Sequence, residues 1–304
     1  MADRELGLVD ALHGWGRMTL RDLPWRRTRD AWAVLVSEAM LQQTQVARVV
    51  ERFAPFLERF PTPAASAAAP LADVLGEWAG LGYYRRARDL HRAATVMVER
   101  HEGRVPATLD ELRALPGVGP YTARAVLALA LEQDHGVVDT NVARVLARAF
   151  SGAPMTATAT QWLADRLVPP GSAWLHNQTM LDLGATVCTA RAPRCDVCPL
   201  HAGCAWRRAG GGTGPDGLAA ADAPPDPART TAGTSRPQAP FVGSDRQGRG
   251  RLIAAIGASA SGVAEEELDA VTGWGDVVRS RRVADGLVAD GLATWSGGAL
   301  VAPR

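Results

Sequence analysis

The chain of 304 residues is long enough for two domains with a large core, and its 47% hydrophobic content is ordinary for a globular protein. No apolar run approaches the length of a membrane span, and the charged N-terminal stretch lacks a signal-peptide core, so we expect a cytoplasmic protein. The net charge of +1 does not by itself indicate nucleic-acid binding, and the absence of lysine among the 33 basic residues excludes lysine Schiff-base chemistry.

The N-terminal residues are predicted to form an amphipathic helix, because Leu8, Leu12 and Trp15 recur at helical spacing. An extended segment punctuated by proline follows and contains Trp25 and Arg26. This pattern indicates a helical protein whose first helix packs one face on a core.

The next apolar run, AWAVLVSEAMLQQTQV, contains a single carboxylate, Glu38. Burial in such a run would raise the pKa of Glu38 toward the range that is useful for a general acid. Taken alone, a glutamate in a helix more often faces solvent. The residues by themselves leave both interpretations open.

After a helix predicted over Val46 to Phe60, the stretch WAGLGYYRRARDLHRAA combines a glycine turn, two tyrosines and an arginine-rich helix start. Aromatic side chains can wedge between bases, and arginines can contact phosphates. Taken alone, Tyr83 and Tyr84 would more often serve in core or turn packing. The stretch therefore offers a candidate DNA wedge with a structural alternative.

The stretch LPGVGPYTARAV predicts a hairpin at Gly117, Val118 and Gly119, where glycines adopt backbone angles closed to other residues and let a partner approach the main chain. A helix begins at once near Tyr121, and its free N–H groups and dipole favour an anion such as a phosphate. Asp139 occupies the expected N-cap of the next apolar-periodic segment.

Two more helices are predicted over Thr156 to Pro169 and Trp174 to Val187, and all the cysteines follow with the spacing C-x6-C-x2-C-x5-C. Without a secretory signal, a disulfide framework is disfavoured. Four thiolates suit either Zn²⁺ or a [4Fe–4S] cluster. The predicted ligands are Cys188, Cys195, Cys198 and Cys204.

From 209 to 240 the composition shifts to Gly, Ala, Pro, Thr and Asp, which predicts a flexible linker. Residues 241–304 then regain periodicity and predict three short helices and two strands around a Gly-Gly turn, typical of a small winged-helix-like domain. Its arginines either contact DNA or serve in packing on the main body. These are Arg279, Arg281 and Arg282.

Several motifs together resemble one superfamily, the helix-hairpin-helix DNA base-excision glycosylases that include endonuclease III. The motifs are SEAMLQQTQV, GLGYY, LPGVGPYTA followed by VVDTNV, and the cysteine loop after LGATVC, and they extend over about Leu20 to Cys204. The resemblance is strongest to the adenine DNA glycosylases (MutY-type). It implies an all-α, two-lobed glycosylase domain over 1–208, with a six-helix lobe at about 28–135 and a [4Fe–4S] cluster lobe from 1–27 and 136–208.

The resemblance implies a monofunctional enzyme that releases adenine mispaired with 8-oxoguanine or guanine from double-stranded DNA. Glu38 would be the general acid, Asp139 would stabilise the oxocarbenium ion, and Asn141 would orient water. Tyr121 stands where the lyase-type relatives carry their Schiff-base lysine. The resemblance also implies that the cysteine ligands hold a [4Fe–4S] cluster in preference to zinc, in a monomer associated with the nucleoid.

The remaining site residues are likewise implied by the resemblance. They are Gln43 and Thr44, which would enter the DNA; Tyr83, the wedge beside the opposite base; and Trp25, Arg26 and Gln178, which would line the adenine pocket.

Two alternatives stay open at this point: an endonuclease III-like glycosylase for pyrimidine lesions, and a non-enzymatic iron–sulfur regulator that binds DNA. The chain also departs from its relatives. Adenine glycosylases often have glycine directly after the catalytic aspartate, whereas this chain has Thr140 there, as endonuclease III does. The 64 residues after Pro240 also lack the motifs of the Nudix-related domain that reads 8-oxoguanine in many adenine glycosylases. One hypothesis is that the small terminal domain, through its FVGSDRQ segment, takes over that role.

Overall fold

The computed structural model describes residues 3–213, 223–231, 233, 240–259 and 261–303. The described chain forms two compact units, Met1–Leu23 with Pro120–Pro237 and Pro24–Gly119 with Gln238–Arg304. Both are predominantly helical, and the second also holds a small sheet. Within these ranges no helix combines the length and apolar character that crossing a membrane requires.

Helices account for most of the secondary structure in the described residues. In chain order they are α1 (Asp3–Thr19), α2 (Ala31–Leu41), α3 (Val46–Arg59), α4 (Pro63–Ala68), α5 (Leu71–Glu77), α6 (Arg85–Arg100), α7 (Leu109–Ala114), α8 (Pro120–Leu129), α9 (Thr140–Val145), α10 (Ala157–Leu167), α11 (Ala173–Thr186), α12 (Ala205–Arg208), α13 (Asp245–Ala258), α14 (Leu268–Thr272) and α15 (Val277–Ala289). The strands are β1 (Val263–Ala264), β2 (Thr294–Ser296) and β3 (Ala299–Val301). A π-helical turn, Leu146–Ser151, continues α9.

Several helices begin at side chains that cap the free backbone N–H groups of the first turn. Asp30 accepts a hydrogen bond from the Ala33 N–H at the start of α2, and Thr156 accepts one from the Ala159 N–H at the start of α10. Such caps each stabilise a helix by about 1 kcal/mol. The sequence thus fixes where these helices begin through short polar residues.

The core of the first unit lies between α1, α9, α10 and α11. Gly16 lets α1 approach α11 closely, because a Cβ at this position would lie 2.2 Å from Oγ1 of Thr179. The large apolar side chains of this core include Leu8, Leu12, Val145, Leu146, Phe150, Leu163, Leu167, Met180 and Leu183. The N-terminal helix predicted from Leu8, Leu12 and Trp15 is therefore observed as α1, with its apolar face buried.

Aromatic side chains dominate the core of the second unit. The Phe56 ring meets Phe60 at 5.0 Å and Trp78 at 5.8 Å between centroids, both edge to face. The Trp32 indole N–H donates to the Phe60 carbonyl at 2.9 Å, which satisfies the buried polar group. These contacts tie α2, α3 and the end of α5 into one body.

The C-terminal segment forms the predicted winged-helix-like arrangement. Three helices, α13 to α15, accompany an antiparallel sheet of order β1-β3-β2, in which Trp295 pairs with Leu300. Gly297 and Gly298 take φ of 57° and 80° in the turn between β2 and β3. The sequence predicted these helices and two of the strands, and it missed the short β1.

The three arginines considered for DNA contact in this domain all pair with acids of the same domain. Arg279 and Arg282 pair with Asp245, and Arg281 pairs with Glu265 and Asp285. Their charges are thus largely compensated within the domain.

Part of the segment predicted to be a flexible linker is packed against the first unit. Asp226 forms an ion pair with Arg148 at 2.6 Å, and Ala228 and Thr231 are buried. The low apolar content suggested flexibility, yet a single buried arginine supplies an anchor that composition does not reveal. The rest of 209–240 lies mainly outside the described residues.

Candidate active site

The glycine hairpin after α7 exposes its main chain. Gly117 takes φ of 73°, and a Cβ there would lie 2.7 Å from the Asp89 Cβ, so both the conformation and the contact require glycine. Gly119 does not share the positive φ, but nothing lies within 4 Å of where its Cβ would be. The expected special backbone angle is thus present at Gly117 and absent at Gly119, and the exposed hairpin leaves space beside the Gly119 backbone.

Asp139 is the N-cap of α9, as the sequence predicted. Its Oδ1 accepts hydrogen bonds from the Asn141 N–H at 2.8 Å and the Val142 N–H at 2.7 Å, and its Oδ2 accepts one from the Asn141 side-chain amide at 2.8 Å. Burial raises the pKa of Asp139 above its ordinary value, and these hydrogen bonds and the Arg144 charge oppose the rise. The result is one carboxylate in a fixed orientation.

The segment that leads into Asp139 is held by α11. Asn177 accepts a hydrogen bond from the Val137 N–H at 2.7 Å and donates to the carbonyls of His135 and Ala173 at 2.8 Å. Because Asn177 is buried, this pairing satisfies backbone groups that water does not reach. Sequence reasoning missed Asn177, since nothing local distinguishes a buried asparagine in a helix.

Gly184 in α11 permits the close approach of Asn141. A Cβ at position 184 would lie 2.6 Å from the Asn141 Cβ and 2.9 Å from its carbonyl oxygen. Any larger residue would displace Asn141, and with it the hydrogen bond to Asp139. This explains the glycine within the LGATVC motif by packing alone.

Arg144 connects the capped aspartate with the cysteine loop. Its guanidinium donates to Asn141 Oδ1 at 2.8 Å, to the Gly184 carbonyl at 2.7 Å and to the Cys188 carbonyl at 2.7 Å. Arg144 is buried, and this burial lowers its pKa. A continuous chain of hydrogen bonds thus runs from Asp139 through Asn141 and Arg144 to Cys188. Sequence reasoning missed Arg144, whose only signal is a lone arginine shortly after VDTN.

The four cysteines line one cavity together with apolar side chains of α9, α11 and the following turn. Among the described residues, no three His, Cys, Asp or Glu side chains have the arrangement that one metal ion needs. Four thiols around one cavity are nevertheless a donor set that suits a soft metal ion or an iron–sulfur group.

Arg148 lies against this cavity and is only 2% exposed. Its guanidinium is 3.5 Å from the Cys188 Sγ, donates to the carbonyls of Thr189 and Ala190, and stacks over Trp206 at 5.0 Å. Burial raises the pKa of the Cys188 thiol, and the Arg148 charge opposes this rise, so the arginine favours the thiolate that a metal group needs.

Glu38 lies on α2 in the second unit and is 4% exposed, so the surface alternative for this residue is wrong. The flanking residues of α2 are buried on every side, with Val34, Leu35 and Met40 almost inaccessible. Glu38 is therefore buried on an apolar helix, as the sequence suggested.

Two loops at the end of α2 and before α6 carry strained, functionally suggestive residues. Gln43 and Tyr83 are non-glycine residues with φ of 57° and 49°, a conformation that costs free energy and persists at functional sites. Tyr83 is 37% exposed, whereas Tyr84 is buried, so Tyr83 is the tyrosine of this pair that a partner can contact.

Arg86 joins these two loops, and sequence reasoning missed it. Its guanidinium donates to the carbonyls of Ala39, Met40 and Gly82 at 2.7–2.9 Å and to the Thr44 hydroxyl at 2.9 Å. Burial lowers its pKa to about 10, so it remains charged at neutral pH. The Gln-Gln-Thr turn and the Tyr83 turn are thereby fixed to one another within the second unit.

The other predicted site residues divide between the units. Trp25 and Arg26 form a buried turn in the second unit, with Trp25 edge to face with Phe53 at 5.7 Å. Tyr121 lies half-buried in the first turn of α8, and Gln178 is buried on α11, both in the first unit.

A helix-hairpin-helix followed by a capped aspartate and a four-cysteine loop defines a DNA glycosylase of the helix-hairpin-helix class. The family model of the HhH-GPD superfamily base excision DNA repair proteins matches residues 36–170. The adenine DNA glycosylase of Mycolicibacterium smegmatis is 43% identical over 286 residues, which cover 92% of this chain and 90% of that protein. The human adenine DNA glycosylase is 44% identical over 67% of this chain and 41% of its own length.

Among solved structures, a thermostable thymine-DNA glycosylase superposes with a TM-score of 0.63 at 28% identity, covering 67% of this chain and 97% of that chain. The chain belongs to the adenine DNA glycosylase family within this superfamily. The family resemblance and the helix-hairpin-helix fold predicted from the motifs are thereby confirmed.

Proposed function

We propose that this protein is a monofunctional base-excision repair glycosylase, which hydrolyses the N-glycosidic bond of adenine mispaired with 8-oxoguanine or guanine in double-stranded DNA. The observation that carries the proposal is the pair of differently placed carboxyls: Glu38 buried in an apolar helix, and Asp139 held by hydrogen bonds at a helix N-terminus. Family membership supports adenine as the base that is released.

Cleavage leaves negative charge on the departing base and positive charge on the sugar, as in glycoside hydrolysis. In the proposed mechanism, protonated Glu38 donates its proton to the adenine ring as the glycosidic bond breaks. Ionised Asp139 then stabilises the oxocarbenium ion, electrostatically or by transient attachment. Asn141, bonded to Asp139 Oδ2, orients the water that completes hydrolysis.

Tyr121 supports the monofunctional assignment. It occupies the first turn of α8, the position at which lyase-type relatives carry a lysine, and the chain contains no lysine to replace it. Without a lysine, no lysine Schiff base with the sugar forms, so in this proposal the enzyme releases base and leaves the strand intact.

The adenine must leave the helical stack before it reaches these carboxyls. We assign Gln43 and Thr44 to filling the gap and Tyr83 to wedging beside the opposite base, supported by their strained, Arg86-braced turns. Trp25, Arg26 and Gln178 are assigned to the adenine pocket. The hairpin of Gly117, Val118 and Gly119 binds backbone phosphate in this proposal.

We assign a [4Fe–4S] cluster to the cysteine cavity, with Cys188, Cys195, Cys198 and Cys204 as its ligands, and the four thiols that line this one cavity support the assignment. When bound, the cluster would anchor the four thiolates in one rigid loop, and Arg191 and Arg194 of that loop are candidates for phosphate contacts. We further propose that the protein acts as a monomer on DNA, in the cytoplasm with the nucleoid.

The test is a single-turnover assay on a duplex with adenine opposite 8-oxoguanine, in which alkali converts abasic sites to strand breaks. The intact protein should release adenine, while Glu38→Gln and Asp139→Asn should still bind the duplex but release none. Borohydride treatment should trap no abundant covalent adduct. Retained turnover in both variants would refute the carboxyl assignment, and an intact duplex with the unaltered protein would refute the function.

A further inference from the structure

A segment without helix or strand leads from α8 to Asp139. This connector, residues 130–138, contains Gly136 and Val137, both of which are buried. Buried backbone groups outside helices and strands need hydrogen-bond partners from elsewhere in the fold. The partners of the connector therefore identify what holds the chain just before Asp139.

Two side chains of α10 hold the backbone of Gly136. Asp165 Oδ1 accepts a hydrogen bond from the Gly136 N–H at 2.9 Å, and the Gln161 side-chain amide donates to the Gly136 carbonyl at 2.9 Å. Asp165 is in turn oriented by α8, because the Arg124 guanidinium donates to the same Oδ1 at 2.6 Å. Gly136 is thus bonded on both sides to α10 and, through Asp165, to α8.

Asn177 of α11 bonds the neighbouring backbone groups of the connector. Its side chain accepts from the Val137 N–H at 2.7 Å and donates to the His135 carbonyl at 2.8 Å. The peptide groups before and after Gly136 therefore each have both their N–H and their carbonyl bonded to a side chain of α10 or α11. Because these bonds orient two successive peptide planes, they also fix the backbone dihedral angles at Gly136.

Gly136 also packs directly on α10. A Cβ at this position would lie 2.5 Å from the Ala164 carbonyl carbon and 2.7 Å from the Asp165 nitrogen, which are backbone atoms. Glycine has more backbone freedom than other residues, so a glycine without these contacts, three residues before Asp139, would let the carboxylate move. The side-chain hydrogen bonds remove this freedom.

We propose that Asp165 and Asn177 are positioning residues for adenine release, because they fix the chain that carries Asp139 and thereby the place of its carboxylate beside the sugar. This inference rests on the proposed function, since it takes Asp139 to stabilise the oxocarbenium ion. The two residues act through the connector backbone, whereas Asn141 bonds the carboxylate itself. Displacing a reacting group by about 1 Å costs about a hundredfold in rate, so loss of either residue affects the chemical step.

The test measures single-turnover adenine release by the full-length protein, in saturating excess over a duplex with adenine opposite 8-oxoguanine. Asp165→Ala and Asn177→Ala should each lower the rate constant by at least about tenfold, while the Kd for the duplex changes by less than about twofold. Asp165→Asn keeps an acceptor for the Gly136 N–H and should recover most of the rate. Asp134→Ala is the matched control, because this exposed carboxylate of the same connector bonds the Gly171 N–H, and it should keep the rate of the unaltered protein.

Two further readouts separate positioning from a loss of folded protein. The amplitude of a single turnover reports the fraction of competent protein and the rate constant reports the geometry of the site, so a purely structural role would lower the amplitude alone. The acid limb of the pH–rate profile should stay in place in Asp165→Ala, because the hydrogen bonds to the Asp139 oxygens are retained. The Asp165 side chain is 36% exposed, so we expect this variant to fold, and it alone decides the test if Asn177→Ala does not fold.

A rate constant for Asp165→Ala within about twofold of that of the unaltered protein, with adenine still released, would overturn this inference. An equal fall of the rate constant in Asp134→Ala would overturn it as well. Failure of the proposed function would appear separately, as no adenine release by the unaltered protein.

Discussion

At the scale of single residues, the site depends on polar side chains whose partners are fixed by the fold. Asp139 has its oxygens oriented by Asn141 and Val142, and Asn141 is in turn held by Arg144. The groups of Asn141, Val142 and Arg144, which are buried or half-buried, therefore fix the orientation of the Asp139 carboxylate. Such pre-orientation reduces the reorganisation that the charged transition state would otherwise require.

The first prediction concerns the pH dependence of this carboxylate. In the proposed mechanism Asp139 is ionised, and burial raises its pKa, so single-turnover release should fall as the pH drops through a value above that of an ordinary aspartate. Asn141→Ala removes a hydrogen bond that favours the ionised form, so it should move the acid limb of the pH–rate profile to higher pH. A limb that stays in place, or moves to lower pH, would contradict the role given to Asn141.

At the scale of elements, α11 organises the site more than any motif suggests. It supplies Asn177 to the segment before Asp139, Gly184 to the back of Asn141, and the lead into Cys188. The segment 226–231, which we call the strap, packs over Arg148 at the cysteine cavity through Asp226. Packing of α11 therefore supports the Asp139 region, and packing of the strap supports the cysteine cavity.

The second prediction is that Gly184→Ala impairs the site by steric displacement of Asn141. Overpacking of this kind costs about 1–3 kcal/mol of unfolding free energy, and adenine release should fall more than stability, since Asp139 loses its orienting partner. Gly7→Ala is the control, because nothing lies within 4 Å of a Cβ at that helix position. It should be neutral or stabilise by up to about 1 kcal/mol. Equal effects of both changes on release would contradict the packing explanation.

The third prediction is that Asp226→Asn weakens the strap over the cysteine cavity. It leaves the buried Arg148 without its carboxylate, which costs roughly 3 kcal/mol of unfolding free energy. Urea unfolding measures this loss. Asp285→Asn breaks an exposed pair with Arg281 and should cost less than about 1 kcal/mol. Similar losses of unfolding free energy in the two variants would show that the Asp226–Arg148 pair does not anchor the strap.

At the scale of the whole molecule, acid should destabilise the fold through two buried histidines. His13 and His176 lie 3.2 Å apart between α1 and α11, and burial lowers both pKa values, that of His176 to about 3. Arg17 lowers the pKa of His13 further, and Asp10 opposes this. The folded state therefore keeps at least His176 neutral at a pH where the unfolded chain is protonated.

The fourth prediction is that acid destabilises the protein through the buried His176. Below the unfolded histidine value of 6.5, the unfolded state binds protons that the folded state excludes, so stability falls by about 1.4 kcal/mol per pH unit for each such histidine. His176→Gln should make the decline between roughly pH 7.5 and 5.5 shallower. Urea unfolding at both pH values measures it, and an equally steep decline in the variant would exclude His176 as the source.

The sequence by itself determined the helical class, the starts of the capped helices, the glycine hairpin, the N-cap aspartate and the cysteine set. These features depend on local chemistry: glycine at positive φ, short polar caps and thiol spacing act over a few residues. The winged-helix-like segment was also predictable, because its periodicity and Gly-Gly turn are local signals.

Only the tertiary structure decided which buried polar groups serve these residues. Arg86, Arg144, Arg148 and Asn177 bond to backbone or side chains far along the chain, and no local pattern distinguishes them from solvent-exposed residues of the same type. The same holds for Asp226, whose segment looks disordered by composition, and for Arg246, which donates a hydrogen bond to the Tyr83 hydroxyl. Satisfying a buried donor requires a partner brought by folding, and that pairing is a property of three-dimensional packing.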